Sequence, residues 1–262
     1  MSKMKKFFLS LAVLIIASVH IVWAQKVLIY KSDGTTIEYE VSTLDSMVFV
    51  KEKQTMPSHL TCPDDHHPHA IDLGLPSGTK WCCCNVGASK PEEYGGCYAW
   101  GETLTKSVYT EVTYWYCTGK DTGKDTDGDG WYDNGSVFVN IGSDIAGTEY
   151  DAATVNMGAP WRMPSDELLT ELVNNCSRQW AQVNGVNGIL VTGRNDGQIF
   201  LPAAGYRWLH GFYLAGSNGY YWSSQLRSSK SVRRLHFGSD YWYFGYDTLL
   251  RIGGHSVRAV CP

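Results

Sequence analysis

The chain of 262 residues is 44% hydrophobic, 18% charged and 13% aromatic, with 27 glycines, a balance that excludes a disordered charged tail and a coiled coil. Its net charge of −4 becomes −7 once an amino-terminal segment carrying Lys3, Lys5 and Lys6 and no acid is discounted, so nucleic acid is not expected as a partner.

That segment, residues 1–24, reads as an export signal: three lysines, an apolar stretch from Phe7 to Val22, and small residues Val22 and Ala24 around a cleavage point before Gln25. The stretch falls short of the roughly 20 residues that span a bilayer. A secreted, periplasmic or cell-surface product without a transmembrane segment is therefore expected. Cys62, Cys82, Cys83, Cys84, Cys97, Cys117, Cys176 and Cys261 all follow the signal, and an even count in an exported chain favours disulfides whose pairing is open. A metal held by the Cys82–Cys84 triplet is weighed and set aside, because a paired Cys-x-x-Cys spacing is missing.

Residues 25–52 read as a small β-hairpin unit: Val27 to Tyr30, a turn at Asp33-Gly34, the alternation Ile37, Tyr39, Val41, and a third run from Met47 to Val50. Residues 53–68 are aperiodic and polar, the pattern of a linker. Asp64, Asp65, His66, His67 and His69 offer metal ligands there, but a solvated linker accounts for them. From residue 69 to 262 short apolar runs alternate with Gly-rich turns. Thr148-Glu149-Tyr150-Asp151 is a capping-box pattern before Ala152, and Ser165 is placed to cap a helix with Leu168, Leu169, Leu172 and Val173 on one face. Strands are expected at Ile189–Thr192 and Gln198–Leu201, around the Asn195-Asp196-Gly197 turn, and then at 220–224, 232–237, 241–244 and 256–260. Helices early and strands late predict an α+β fold with an antiparallel sheet.

Several motifs of this region resemble a known exported family. They are Asp72-Leu73-Gly74-Leu75-Pro76-Ser77-Gly78-Thr79-Lys80-Trp81, Cys84-Asn85-Val86-Gly87-Ala88, Tyr98-Ala99-Trp100-Gly101-Glu102, Trp161-Arg162-Met163-Pro164-Ser165, Leu201-Pro202-Ala203-Ala204-Gly205-Tyr206, Tyr221-Trp222-Ser223-Ser224 and Ser256-Val257-Arg258-Ala259-Val260. Together they resemble the Fibrobacter succinogenes major paralogous domain, over essentially residues 69–261. The Arg162-to-Ser165 step and the Ser256-Val257-Arg258 end are also similar to the formylglycine-generating (sulfatase-modifying factor) fold. The resemblance implies a C-type-lectin-like domain with twisted antiparallel sheets, two helices and long loops. Within it Arg162 and Arg258 are expected to make buried hydrogen bonds, and Trp81, Trp100, Trp161 and Trp222 to pack beneath the loops.

An enzymatic reading finds little support. The copper of formylglycine-generating enzymes is held by two late cysteines, and none lies between Cys176 and Cys261. There is no Gly-x-Ser-x-Gly elbow, and His210, His236 and His255 stand singly. Asp125, Asp127, Asp129 and Asp133, with Gly130 at the turn, match the start of a calcium loop, although Ser136 replaces its final bidentate Glu. Structural calcium is therefore the one cofactor expected. The calcium-dependent sugar motifs of true C-type lectins are absent.

What remains is a surface. Residues 206–260 hold 13 aromatics, 8 Ser and 7 Gly, with seven Arg or Lys against two Asp. Such a mixture suits recognition: rigid rings give area and small polar residues adaptable hydrogen bonds. The candidate contact residues are Tyr213, Arg227, Lys230, Arg233, Arg234, Tyr241, Trp242, Tyr243 and Tyr246. The expected function is non-catalytic recognition or adhesion, binding a glycan or protein at a cell surface. The alternatives are a structural subunit of a surface assembly and, less favoured, an enzyme of the formylglycine-generating fold.

Overall fold

The computed structural model describes residues 26–30, 36–40, 62, 67–118, 137–245 and 249–262. The export signal, the calcium loop with Asp125, Asp127, Asp129 and Asp133, the run from Met47 to Val50, Asp64, Asp65, His66 and Tyr246 lie outside the described residues. The chain divides into two units, Met1–Thr55 and Met56–Pro262. In the first, β1 (Lys26–Tyr30) and β2 (Thr36–Glu40) form an antiparallel hairpin with Lys26 opposite Glu40.

The larger unit runs β3 (Ala70–Asp72), β4 (Lys80–Asn85), β5 (Cys117–Thr118), β6 (Val137–Phe138), α1 (Ala152–Met157), α2 (Asp166–Asn175), β7 (Ser177–Val183), β8 (Val186–Thr192), β9 (Gln198–Pro202), β10 (Tyr206–Trp208), β11 (Gly211–Tyr213), β12 (Gly219–Leu226), β13 (Ser231–Phe237), β14 (Trp242–Phe244), β15 (Leu249–Leu250) and β16 (Arg258–Cys261). They make several small antiparallel sheets: β16-β4-β3, β7-β8-β9, β12-β13-β14 with β15 on β13, and the ladders β10-β11 and β5-β6. No described helix is long and apolar enough to cross a membrane.

This overturns the expected α+β, C-type-lectin-like class. The described residues are mostly β, 41% strand against 9% helix, and the two helices are short. The physical reason lies in where the apolar residues fall. Strands β3 and β4 precede both helices, so helix-early and strand-late does not hold. Only α2 carries a helical apolar stripe, burying Leu169 and Leu172.

Local chemistry explains the elements. Ser165 caps α2 as the sequence predicts, its hydroxyl accepting from Leu168 N. The cap of α1 is Asp151 and not Thr148; one carboxylate oxygen accepts from Ala153 N and Thr154 N, the other from Gly147 N and Met163 N. The β8–β9 hairpin turns through Asp196 at φ 63°. Strand β7 is an addition to the predicted set, joined to β8 by Asn184-Gly185, both at positive φ, the signature of a two-residue hairpin.

Residues 251–261 form the spine of this unit, buried throughout. Val257 and Ala259 enter one apolar cluster with Cys82, Cys84, Trp100, Met163 and Trp222. Val260 enters a second with Trp81, Leu169, Leu172, Ile189, Leu201 and Phe237. Arg258, 1% exposed, sits in the same strand. Its Nε donates to Asn85 Oδ1 at 2.9 Å, Nη1 to the carbonyls of Cys82 (2.9 Å) and Cys83 (2.7 Å), and Nη2 to that of Phe200 (2.7 Å). Arg162, expected to be buried likewise, is exposed and contributes backbone pairing to Val260.

Arg258→Lys, which keeps the charge but loses the planar fork, is expected to lower the unfolding free energy by about 2–4 kcal/mol through the carbonyls left unpaired. Urea denaturation measures this, and a loss below about 0.5 kcal/mol would remove the guanidinium from its place as a keystone.

Candidate recognition surface and a thiol–imidazole cluster

Strands β10 and β11 make a hairpin in which Tyr206 faces Tyr213 and Trp208 faces Gly211. Its turn residue Leu209 has φ 52° and Leu214, just past β11, has φ 57°. A bulky side chain in this region costs on the order of 1 kcal/mol and persists only where its surroundings hold it. They do so here. Leu209 exchanges both backbone hydrogen bonds with Tyr109, at 2.9 and 3.0 Å, and the Leu214 carbonyl accepts from Ser217 N, Ser217 Oγ and Asn218 N. The strained leucines, with Phe212 and Tyr213 between them, are 43–49% exposed.

Behind the hairpin the rings are continuous. Tyr213 stacks on Tyr206 at 5.5 Å, Tyr206 meets Tyr220 edge-on at 5.1 Å, and Tyr220 stacks on His236 at 4.2 Å. The His236 ring then hydrogen-bonds to two half-buried tyrosines, Nδ1 to the Tyr243 hydroxyl (2.8 Å) and Nε2 to the Tyr241 hydroxyl (3.1 Å). Asn218 Nδ2 also donates to the Tyr241 hydroxyl at 2.6 Å. The Arg207 guanidinium lies 4.8 Å above the Phe212 ring, supporting its exposed face.

The predicted contact residues therefore separate. Tyr213 and Arg227 are exposed, while Lys230, Tyr241 and Tyr243 are half-buried. Trp242 packs against the core as a partly buried ring. Arg233 is ion-paired with Asp166 at 2.5 Å, and Arg234 is buried with its guanidinium 4.5 Å over the Tyr220 ring. Arg234 thus braces the platform from within, while the Arg233 side chain, 41% exposed, is tied to the start of α2. Leu209, Phe212 and Leu214 were not among the expected contacts. The signal for them was an apolar pair on each side of His210-Gly211, short of the usual strand length.

His255 lies beneath this platform, fully buried, with its ring 3.9 Å from Trp222 and 5.9 Å from Tyr206. Neither ring nitrogen has a hydrogen-bond partner. Burial, with further contributions from Arg234 and His236, pushes its pKa well below the ordinary imidazole value.

A second grouping joins residues that the sequence keeps apart. Cys62, His67, His69 and Cys83 bring their ligand atoms within 4.8 Å of one another. The register that sets Ala70 opposite Cys82 puts His69 across from Cys83, and Cys83 N donates to the His69 carbonyl at 2.9 Å. Cys83 Sγ is then 3.6 Å from His69 Nδ1, and Cys62 Sγ 3.6 Å from His67 Nε2. Cys62 is buried in the same apolar cluster as Cys83, although the linker was expected to be solvated throughout. No disulfide joins any of the described cysteines. A hydrogen bond from Cys82 favours the Cys83 thiolate, but the bond with Cys84 and burial outweigh it and push the thiol up to about 12.

Compared with protein-family models, with curated proteins and with solved structures, the chain matches none of them.

The buried imidazole makes a testable demand on acid stability. Above about pH 6.5 the His255 ring is neutral in both folded and unfolded chain and contributes nothing. Below it the unfolded chain takes up a proton that the folded chain refuses, so stability falls by about 1.4 kcal/mol per pH unit until the depressed folded pKa is reached. His255→Phe is expected to shed about 2 kcal/mol of the stability lost between pH 7 and 5. Denaturant titrations at both pH values measure the difference. Coincident losses in the two proteins would show that the ring is not held neutral.

Proposed function

We propose that the chain is an exported recognition module that acts by contact, binding a protein ligand at a cell surface through the β10–β11 hairpin and the Tyr241–Tyr243 edge beside it. Its export rests on the amino-terminal lysines and apolar stretch. The observation that carries the reading is the exposure of Leu209, Phe212, Tyr213 and Leu214 on one hairpin, two of them in strained backbone. An exposed apolar patch carries a solvation cost that a partner relieves, and strain retained at a surface marks a site under functional constraint.

Aliphatic side chains favour a protein over a glycan. A sugar ring stacks on aromatic faces and needs directed hydrogen bonds, and leucine supplies neither. A glycan is the second reading, supported by the Tyr241 and Tyr243 rings beside the Asn218 amide, and it is compatible with the same platform. Rigid support lowers the entropy lost on binding, which the continuous ring contacts behind the hairpin provide.

Probing arrays of extracellular protein domains and of glycans with the tagged chain tests both readings. Phe212→Ser and Leu214→Ser are expected to lose at least tenfold in affinity for captured protein domains, about 1.4 kcal/mol, with the melting temperature kept. Undiminished binding by both variants would sink the assignment of the hairpin, and signal confined to glycans would sink the protein ligand. Leu209→Gly releases the strained φ, so it should raise stability by about 0.5–1 kcal/mol while weakening binding. A variant that is less stable than the parent would show that Leu209 is held by packing and not retained for contact.

A further inference from the structure

We propose that Cys62, His67, His69 and Cys83 form a closed, four-ligand zinc site that fastens the start of the larger unit to strand β4. The inference is independent of the recognition reading above.

Three observations converge on zinc. The donor set is two thiols and two imidazoles, soft and borderline ligands that suit Zn(II) and disfavour calcium or magnesium. Zn–S bonds of about 2.3 Å and Zn–N bonds of about 2.0–2.1 Å at a tetrahedral angle set sulfur and nitrogen about 3.6 Å apart. That is the separation of both neighbouring pairs, Cys62 Sγ to His67 Nε2 and Cys83 Sγ to His69 Nδ1, each 3.6 Å. The ligands are also delivered by structure and do not meet by chance on a surface. His69, immediately before β3, is held opposite Cys83 by the bond from Cys83 N to its carbonyl, and the His67 ring lies 5.4 Å from that of His69. Cys62 and Cys83 are 2% and 4% exposed.

The burial of the thiols and the full set of four protein ligands describe a structural centre, with no open position for water or substrate. The outer support is present as well. Arg258 Nη1 donates to the Cys83 carbonyl at 2.7 Å, fixing the backbone that aims the thiol. Zinc would displace a proton from each thiol to solvent and leave the oxidation state of both sulfurs unchanged.

Full-length protein purified with zinc in the medium and dialysed free of excess should retain one equivalent by elemental mass spectrometry. Cobalt(II) in its place should show the visible bands of a tetrahedral site together with thiolate charge transfer. In competition with a chromophoric chelator, Cys83→Ser and His69→Gln are each expected to weaken zinc binding by ~100-fold or more, judged against the 10–100-fold effect of outer-shell changes. Cys176→Ser, whose sulfur packs against the other apolar cluster, should bind as the parent does. His67→Gln, at a half-buried position, gives the same reading should the Cys83 variant fail to fold. A Cys62–Cys83 disulfide in the alkylated protein, zinc retained by the His67 and His69 variants, or loss of zinc in Cys176→Ser would each overturn the proposal.

Discussion

A guanidinium sealed inside a protein must have its donors met, because an unpaired charge in that setting is among the costliest features a fold can hold. Arg258 meets this demand with no carboxylate. Its charge is spread over three carbonyls and one amide oxygen, contributed by β4, at Cys82, Cys83 and Asn85, and by β9, at Phe200. The network continues outward: Asn85 Nδ2 donates to the Tyr221 hydroxyl at 3.1 Å, and that hydroxyl donates to the Pro202 carbonyl at 2.8 Å. The side chain thereby ties β16 and β4 to β9, its network through Asn85 reaches Tyr221 in β12 of a third sheet, and both apolar clusters assemble around the strand that carries it. Buried polar networks of this kind specify one arrangement, since any shift of register leaves several groups unpaired at once.

Part of the local structure was legible because it depends on local signals. Ser165, the Leu168–Val173 stripe and the Asn195-Asp196-Gly197 turn each act within a few residues, and each is found in its expected place. Strand β7 was missed though Asn184-Gly185 announced its hairpin, because its polar sequence conceals the alternation. The fold class failed for a different reason. It depends on how small sheets pack together: β4, which with β3 precedes both helices, pairs with the last strand, β16, across nearly the whole unit, and β3 pairs with β4 on its other side. The site residues divide along the same line. The exposure of Tyr213 agrees with the compositional reading, whereas the inward turn of Arg234 and the ion pair of Arg233 with Asp166 depend on partners far away in sequence.

The aromatic content serves two ends that composition cannot separate. Trp222 and His255 fill the core, and the tryptophan indole N–H donates to the Tyr98 carbonyl at 2.8 Å. Tyr206 and Tyr220 lie between that core and the hairpin, touching His255 on one side and leading to Tyr213 and His236 on the other. The exposed rings thus stand on a packed column and not on a loose loop. Such support explains how two leucines are kept at positive φ: their backbone partners Tyr109, Ser217 and Asn218 fix them more strongly than the local preference opposes.

The thiol–imidazole cluster meets a weakness of the same architecture. Strand β3 has three residues and pairs only with β4, so it forms the edge of its sheet with few backbone hydrogen bonds to hold it. Short edge strands are where local opening starts. A zinc ion joining Cys62, His67 and His69 to Cys83 would clamp that edge at its amino-terminal end, while Arg258 fixes the carbonyl of the same Cys83. Strand β4 would then be secured from both directions, by a cation of the protein's own on its carbonyls and by a bound one on its thiol. The two are coupled. A guanidinium that positions Cys83 favours the ligand geometry, and an ion that holds β3 in register keeps the carbonyls of Cys82 and Cys83 aimed at Arg258.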